Sequence, residues 1–135
     1  MQALAVDAQL ASGLRTAQHQ RGEQGDGLRR QTQGLFHVVG VEDHAATAGF
    51  DFNPDICLIN WYGPDGRMGL HQDKDETPSS LERGVPVVSL SVGDTARFLF
   101  GGLRRRDPVE TLMLESGDGF VFGGPARLRY HGVAR

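Results

Sequence analysis

His71 and Asp73 stand two residues apart in the segment Leu70-His-Gln-Asp-Lys-Asp-Glu76, and another histidine, His131, follows sixty residues later. On a strand, residues i and i+2 face the same side, so an imidazole and a carboxylate would converge on one point. Two imidazoles and one carboxylate, drawn from two strands, occupy one face of an octahedral metal. Three positions then stay open, the arrangement non-haem Fe(II) oxygenases use. Asn60, Tyr62, Asp75 and Arg105 supply donors and acceptors around this set. Spacing alone leaves a plainer reading open. His-x-Asp recurs by chance, and His71 paired with Asp73 on a half-exposed strand, with His131 at the surface, uses the same residues. His19, His37 and His44 show no partner pattern.

The elements that would position these residues are short strands. From residue 45 onward, apolar runs alternate with Gly, Pro and Asp punctuation, the signature of a sandwich or barrel. The pattern predicts strands at Ile56–Tyr62, Leu70–Gln72, Val87–Val92, Arg97–Phe100, Val109–Leu114, Gly119–Phe122 and Leu128–His131. Gly63-Pro64-Asp65-Gly66, Gly93-Asp94, Gly101-Gly102, Ser116-Gly117-Asp118 and Gly123-Gly124-Pro125 supply turn chemistry between them. Asp73 to Glu82 reads as a polar connection. Residues 1–44 differ: a helix is predicted over Ala3–Ala17, then a Gln-, Gly- and Arg-rich stretch, His19–Gly34, reads as loop or disorder. Leu35–Val41 reads as a short strand. The coarse result is an all-β core in residues 45–135 behind a short N-terminal helical or disordered segment.

Composition narrows the class. The 135 residues suit one domain, and Gly accounts for 19 of them, about twice the usual ~7%, as many turns require. No run approaches the ~20 apolar residues of a membrane helix. The single cysteine, Cys57, excludes an intrachain disulfide and a four-cysteine zinc site, and fits a reducing, cytoplasmic setting. The net charge of −3 argues against a protein coated in positive charge, but the charge is uneven. Residues 1–96 carry 7 Lys+Arg against 13 Asp+Glu, whereas residues 97–135 carry 7 against 4. The later part holds Arg104-Arg105-Arg106, Arg127 and Arg129, a patch that suits a polyanion as well as a solvated loop.

Six blocks in order are more specific than these patterns. Asp55-Ile-Cys-Leu-Ile-Asn-Trp-Tyr62, Leu70-His-Gln-Asp-Lys-Asp-Glu76, Pro86-Val-Val-Ser-Leu-Ser-Val-Gly93, Phe98-Leu-Phe-Gly-Gly-Leu103, Leu114-Glu-Ser-Gly-Asp118 and Gly123-Gly-Pro-Ala-Arg-Leu-Arg-Tyr-His-Gly132 together resemble the bacterial AlkB family of Fe(II)- and 2-oxoglutarate-dependent dioxygenases. The resemblance spans about Ala45 to Gly132. It implies a double-stranded β-helix (jelly roll). It also implies Fe(II), 2-oxoglutarate and O2 as cofactor and cosubstrates, and His71, Asp73 and His131 as iron ligands. Asn60 and Tyr62 would bind 2-oxoglutarate. Asp75 would accept from the exocyclic group of the base, Arg105 would lie near the substrate backbone, and His71 would give the base a stacking face. Phe122 stands where the family often has Trp. The implied reaction hydroxylates a methyl group on a base nitrogen. It consumes 2-oxoglutarate to give succinate and CO2, and the hemiaminal collapses to formaldehyde and the repaired base. The implied partner is alkylated single- or double-stranded DNA, or RNA, taken by a monomer. A base inside a duplex must be flipped out or already unpaired.

Two departures from the family shape the expectation. The family carries two arginines on strands after the second histidine, one of which pairs with the distal carboxylate of 2-oxoglutarate. Here Arg135 comes four residues after His131 and stands in the wrong place. A jelly roll truncated at its C-terminus, without its last strands and with an exposed sheet edge, is therefore expected. Residues 1–44 do not resemble the family's nucleotide-recognition lid, and no Trp or Tyr precedes Trp61. The alternative to a catalytic dioxygenase is a non-catalytic truncated homologue that binds metal and nucleic acid weakly. On either reading the metal ligands are shared, so a His71→Ala, Asp73→Ala double variant should lose Mn(II) or Fe(II) binding in equilibrium titration. Undiminished binding would remove the site.

Overall fold

The computed structural model describes residues 3–9, 29–32, 45–52, 54 and 56–134. In chain order the strands are β1 (Ala3–Gln9), β2 (Arg29–Thr32), β3 (Ile56–Tyr62), β4 (Met68–His71), β5 (Val87–Gly93), β6 (Ala96–Phe100), β7 (Glu110–Leu114), β8 (Gly119–Phe122) and β9 (His131–Ala134). One helix, α1 (Pro78–Arg83), lies between β4 and β5. The strands form two antiparallel sheets, ordered β2-β3-β1-β5-β8 and β4-β9-β6-β7, packed as a jelly roll.

The core is aromatic and sits between the sheets. Val87 and Phe122, in register on β5 and β8, meet Phe98, Phe100 and Leu114 of the other sheet. Phe120 packs edge-on against Phe100 at 5.1 Å between ring centroids, a favoured aromatic geometry. β5 is covered on both faces: Val87, Ser89 and Ser91 alternate with Val88, which packs outward against Ala45 and Phe52. That is why Val87–Gly93 reads as a nearly continuous apolar run in its first half.

Two expectations for the N-terminal region are corrected. Ala3–Gln9 is a strand, not the start of a helix, and Arg29–Thr32, inside the stretch read as loop or disorder, pairs with β3. β1 lies between β3 and β5, in register with both along its seven residues. The inner edges of β3 and β5 are therefore paired, and the exposed edge expected in the core is filled. The helix preference of an Ala- and Leu-rich segment is worth at most ~0.7 kcal/mol per residue, and a slot offering two rows of unpaired backbone groups overrides it. Leu35–Val41, the rest of Ala3–Ala17, and His19, His37 and His44 lie outside the described residues.

The polar connection after Asp73 contains α1. Thr77 caps it by accepting from the Ser80 amide at 3.3 Å, Pro78 opens the first turn, and Gly84 closes it at φ 64°. A Cβ on Gly84 would lie 2.5 Å from the Gly124 Cα, so glycine is required here for close approach as well as for conformation. The final strand begins at His131 and not at Leu128, because Gly124–Ala126 forms a 3-10 turn and Leu128 a further turn.

Val6 pairs in register with Ile59 on one side and Leu90 on the other. Val6→Pro would remove a ladder donor from the middle of the sheet. It should lower the melting temperature by at least about 4 °C, the shift that ~1 kcal/mol brings in a domain of this size. Unchanged thermal denaturation would show that the sheet does not need β1.

Candidate metal centre

β4 delivers His71 as its last residue and β9 delivers His131 as its first, and the two are direct partners in the ladder. Their ring centroids are 4.4 Å apart. Close approach of the strands depends on Gly132, where an added Cβ would meet the Met68 carbonyl oxygen at 2.5 Å. Asp73 is not on a strand. β4 stops at His71, so alternation along one strand does not bring the carboxylate in; the loop over residues 72–77 turns it back. Asp73 Oδ1 lies 3.4 Å from His71 Nε2, and Oδ2 lies 3.3 Å from His131 Nε2. One ligand atom from each of the three residues lies within 4.8 Å of the others.

The backbone selects which ring nitrogens face inward. His71 Nδ1 is 2.9 Å from the Gly69 carbonyl, and His131 Nδ1 is 3.0 Å from the Arg129 carbonyl. A carbonyl can only accept, so each Nδ1 carries a proton and donates. That leaves each Nε2 lone pair turned toward Asp73 when the rings are neutral, as a metal ligand requires. His131 is buried, with the Phe122 ring centroid at 4.9 Å and Phe98 at 6.1 Å. The His71 side chain is 29% exposed, so the cluster opens on that side. Burial alone would raise the Asp73 carboxyl. Where the rings are protonated and no metal is bound, Nε2 donates instead, and the hydrogen bonds and charge from His131 and His71 outweigh burial and hold Asp73 well below the ordinary carboxylate range.

Asn60 and Tyr62 are both buried on β3. Asn60 and Ser91 are each in register with Ala5, which places them in one row across the sheet. Ser89 and Ser91 are buried too, and sequence reasoning passed over them. The alternation Ser-Leu-Ser in β5 was the available signal, since period two sends both hydroxyls to one face. Asp75 is exposed in the loop after β4, and Arg105 is exposed in the β6–β7 loop, 6.0 Å over the Tyr130 ring. The structure thus gathers His71, Asp73 and His131 at one point and leaves Asp75 and Arg105 on the surface. Arg127 and Arg129 are engaged inside the fold. Arg127 pairs with Glu76, and Arg129 donates to the Gly101 carbonyl and stacks 4.0 Å from the Phe100 centroid.

Two facing sheets carrying a His-x-Asp and a distant His define a class, and comparison with known proteins agrees with it. Residues 6–135 match the 2OG-Fe(II) oxygenase superfamily, and the chain belongs to it. It is 58% identical over 80 residues to the DNA N(6)-methyladenine demethylase ALKBH1C of Arabidopsis thaliana, which covers 59% of this chain and 18% of that protein. It is 52% identical over 90 residues to the alpha-ketoglutarate-dependent dioxygenase AlkB of Escherichia coli, covering 66% of this chain and 40% of that one. The solved structure of OsALKBH1 superposes with a TM-score of 0.66 at 44% identity, over 70% of this chain and 50% of that chain. The chain therefore spans less than half the length of these two curated relatives.

A carboxyl with a lowered folded-state value stabilises the fold above its ordinary pKa, and that contribution is lost as pH falls toward the lowered value. Metal-free protein should therefore lose stability below the ordinary value of 3.8, and Asp73→Asn should show a shallower loss over the same range. Equal acid limbs in thermal melts of the two proteins would show that the imidazoles do not hold the carboxylate.

Proposed function

We propose that this chain is the catalytic module of a nucleic acid dioxygenase that removes N-alkyl groups from bases in DNA, with RNA as a further substrate. The observation that carries the reading is the convergence of two imidazole nitrogens and one carboxylate at the mouth of a jelly roll. That donor set fits Fe(II): two neutral nitrogens and one anionic oxygen on one face, with the remaining positions open. His71, Asp73 and His131 would hold the metal. When bound, iron with 2-oxoglutarate and O2 supplies the oxidation of an N-methyl group, releasing succinate, CO2 and formaldehyde.

The chain's own groups do the placing. The Nδ1 donations of His71 and His131 fix their rings, and the ionised Asp73 supplies the negative charge. Asn60 and Tyr62, buried on the first sheet, are suited to orient a carboxylate through neutral hydrogen bonds, and Ser91 shares the Asn60 row. The half-exposed His71 ring offers a stacking surface at the opening. Asp75 would accept from a base amino group, and Arg105, with Arg104 and Arg106 beside it, would meet backbone phosphate. Residues 45–135 would form the catalytic domain, to which residues 1–44 donate β1 and β2. We place it in the cytoplasm as a monomer; among the described residues no helix is long and apolar enough to cross a membrane. The non-catalytic alternative is not favoured, since the three donors are all present and gathered.

The cosubstrate is the weak point. A buried bidentate Arg–carboxylate pair is strong, and a cosubstrate held without one binds more weakly by on the order of 3–5 kcal/mol, roughly 10²–10³ or more in affinity. Ala3–Gln9, the strand that separates β3 from β5, contains no cation, and among the described side chains of the second sheet's turn Arg127 and Arg129 are already engaged. Demethylation of a 1-methyladenine or 3-methylcytosine oligonucleotide should therefore proceed, but without saturating at micromolar 2-oxoglutarate. Formaldehyde or succinate release against cosubstrate concentration, with Asp73→Ala as control, measures it. No turnover at any concentration would refute the function, and micromolar saturation would show that another group clamps the distal carboxylate.

A further inference from the structure

Arg127 is 2% exposed and Glu76, its partner, 5% exposed. The Arg127 Nη2 donates to Glu76 Oε1, while Nη1 donates to the backbone carbonyl of Asp73 at 2.8 Å. Beside them, Gln72 Nε2 donates to the Leu128 carbonyl at 2.6 Å. These bonds all join the same two segments: the loop over residues 72–77, which carries Asp73, and the turn over residues 123–130, which leads into His131. The sheet ladder aligns His71 with His131, but it ends before Asp73. The carboxylate needs another device to place it.

We propose that Arg127 is a positioning residue for the metal centre, clamping the Asp73 backbone and Glu76 onto the turn that precedes His131. This rests on the reading that His71, Asp73 and His131 bind metal. Stability alone does not explain a buried pair at this point, because replacing such a pair with well-packed apolar residues is often neutral or stabilising. Apolar residues cannot donate to the Asp73 carbonyl. That bond fixes the peptide plane next to the Asp73 Cα and so the direction in which its carboxylate leaves the loop. A ligand must be held to within about 0.5 Å and 10–20°, and an outer partner that does so is worth about 10–100-fold in metal affinity. Arginine suits the role because one planar group serves the carbonyl and the carboxylate together, which lysine cannot do in the same geometry.

The test uses the full chain and Co(II) as probe, with affinity from calorimetric titration, geometry from the visible absorption of bound Co(II), and folding from metal-free thermal melts. Arg127→Met alone would strand a buried carboxylate, so the informative variants are the double Arg127→Met, Glu76→Met and the single Arg127→Lys. Each should keep a cooperative melt, bind Co(II) about 10–100-fold more weakly, and shift the Co(II) bands. Affinity within twofold of the wild type with unchanged bands would overturn the proposal. Loss of the cooperative melt in both variants would overturn it too, because the pair would then hold the fold and not the ligand. Failure of the wild type to bind Co(II) any better than Asp73→Ala would instead overturn the metal reading, and this proposal with it.

Discussion

The direct opposition of His71 and His131 across the β4–β9 ladder is the constraint on which the site depends. Side chains alternate along a strand, so a slip of one residue in that pairing would send one imidazole to the other face of the sheet. The register is held from both sides. β9 also pairs with β6, where His131 faces Phe100, and the inward face at that level is aromatic. Gly132 permits the approach, since any side chain there would collide with the β4 backbone. The ligand geometry is thus a consequence of sheet packing, and only the carboxylate is placed by a loop.

That division of labour explains where the polar groups are. A jelly-roll interior has little to offer an ionised group, yet Asp73, Glu76 and Arg127 all lie close to it. Each has a charged or polar partner: Asp73 lies against the two imidazoles, and Arg127 pairs with Glu76 and donates to the Asp73 carbonyl. The buried Asn60, Ser89 and Ser91 are on the first sheet. The buried polar groups of β3 and β5 are therefore neutral, and the charged cluster comes from the opposite sheet and its loops. On the proposed reading, a small anionic cosubstrate would meet those neutral donors as well as the metal held by His71, Asp73 and His131.

Much of this was legible in the sequence, for identifiable reasons. Ile56–Tyr62 and Gly119–Phe122 fall where expected because apolar runs there are bounded by strong turn residues. The motif residues His71, Asp73 and His131 could be named, but the reason they meet was only partly readable: strand alternation does not reach Asp73. α1 was missed although Thr77-Pro78 and Gly84 mark both its ends, because six residues are too few to show a helical period. β1 was misread because an Ala- and Leu-rich segment favours helix when taken alone, and the slot that claims it exists only after β3 and β5 are in place. Arg127 could not be distinguished from the exposed arginines around it, since burial of an arginine depends on a partner 51 residues away.

The account stands or falls on two imidazoles and one carboxylate acting on a single ion. The most direct measurement is pulsed electron paramagnetic resonance on the Mn(II)-loaded chain, which counts the nitrogens bonded to the metal. Two equivalent imidazole couplings are expected, falling to one in His131→Ala and in His71→Ala. A spectrum with no imidazole nitrogen, or one unchanged by either substitution, would contradict the account.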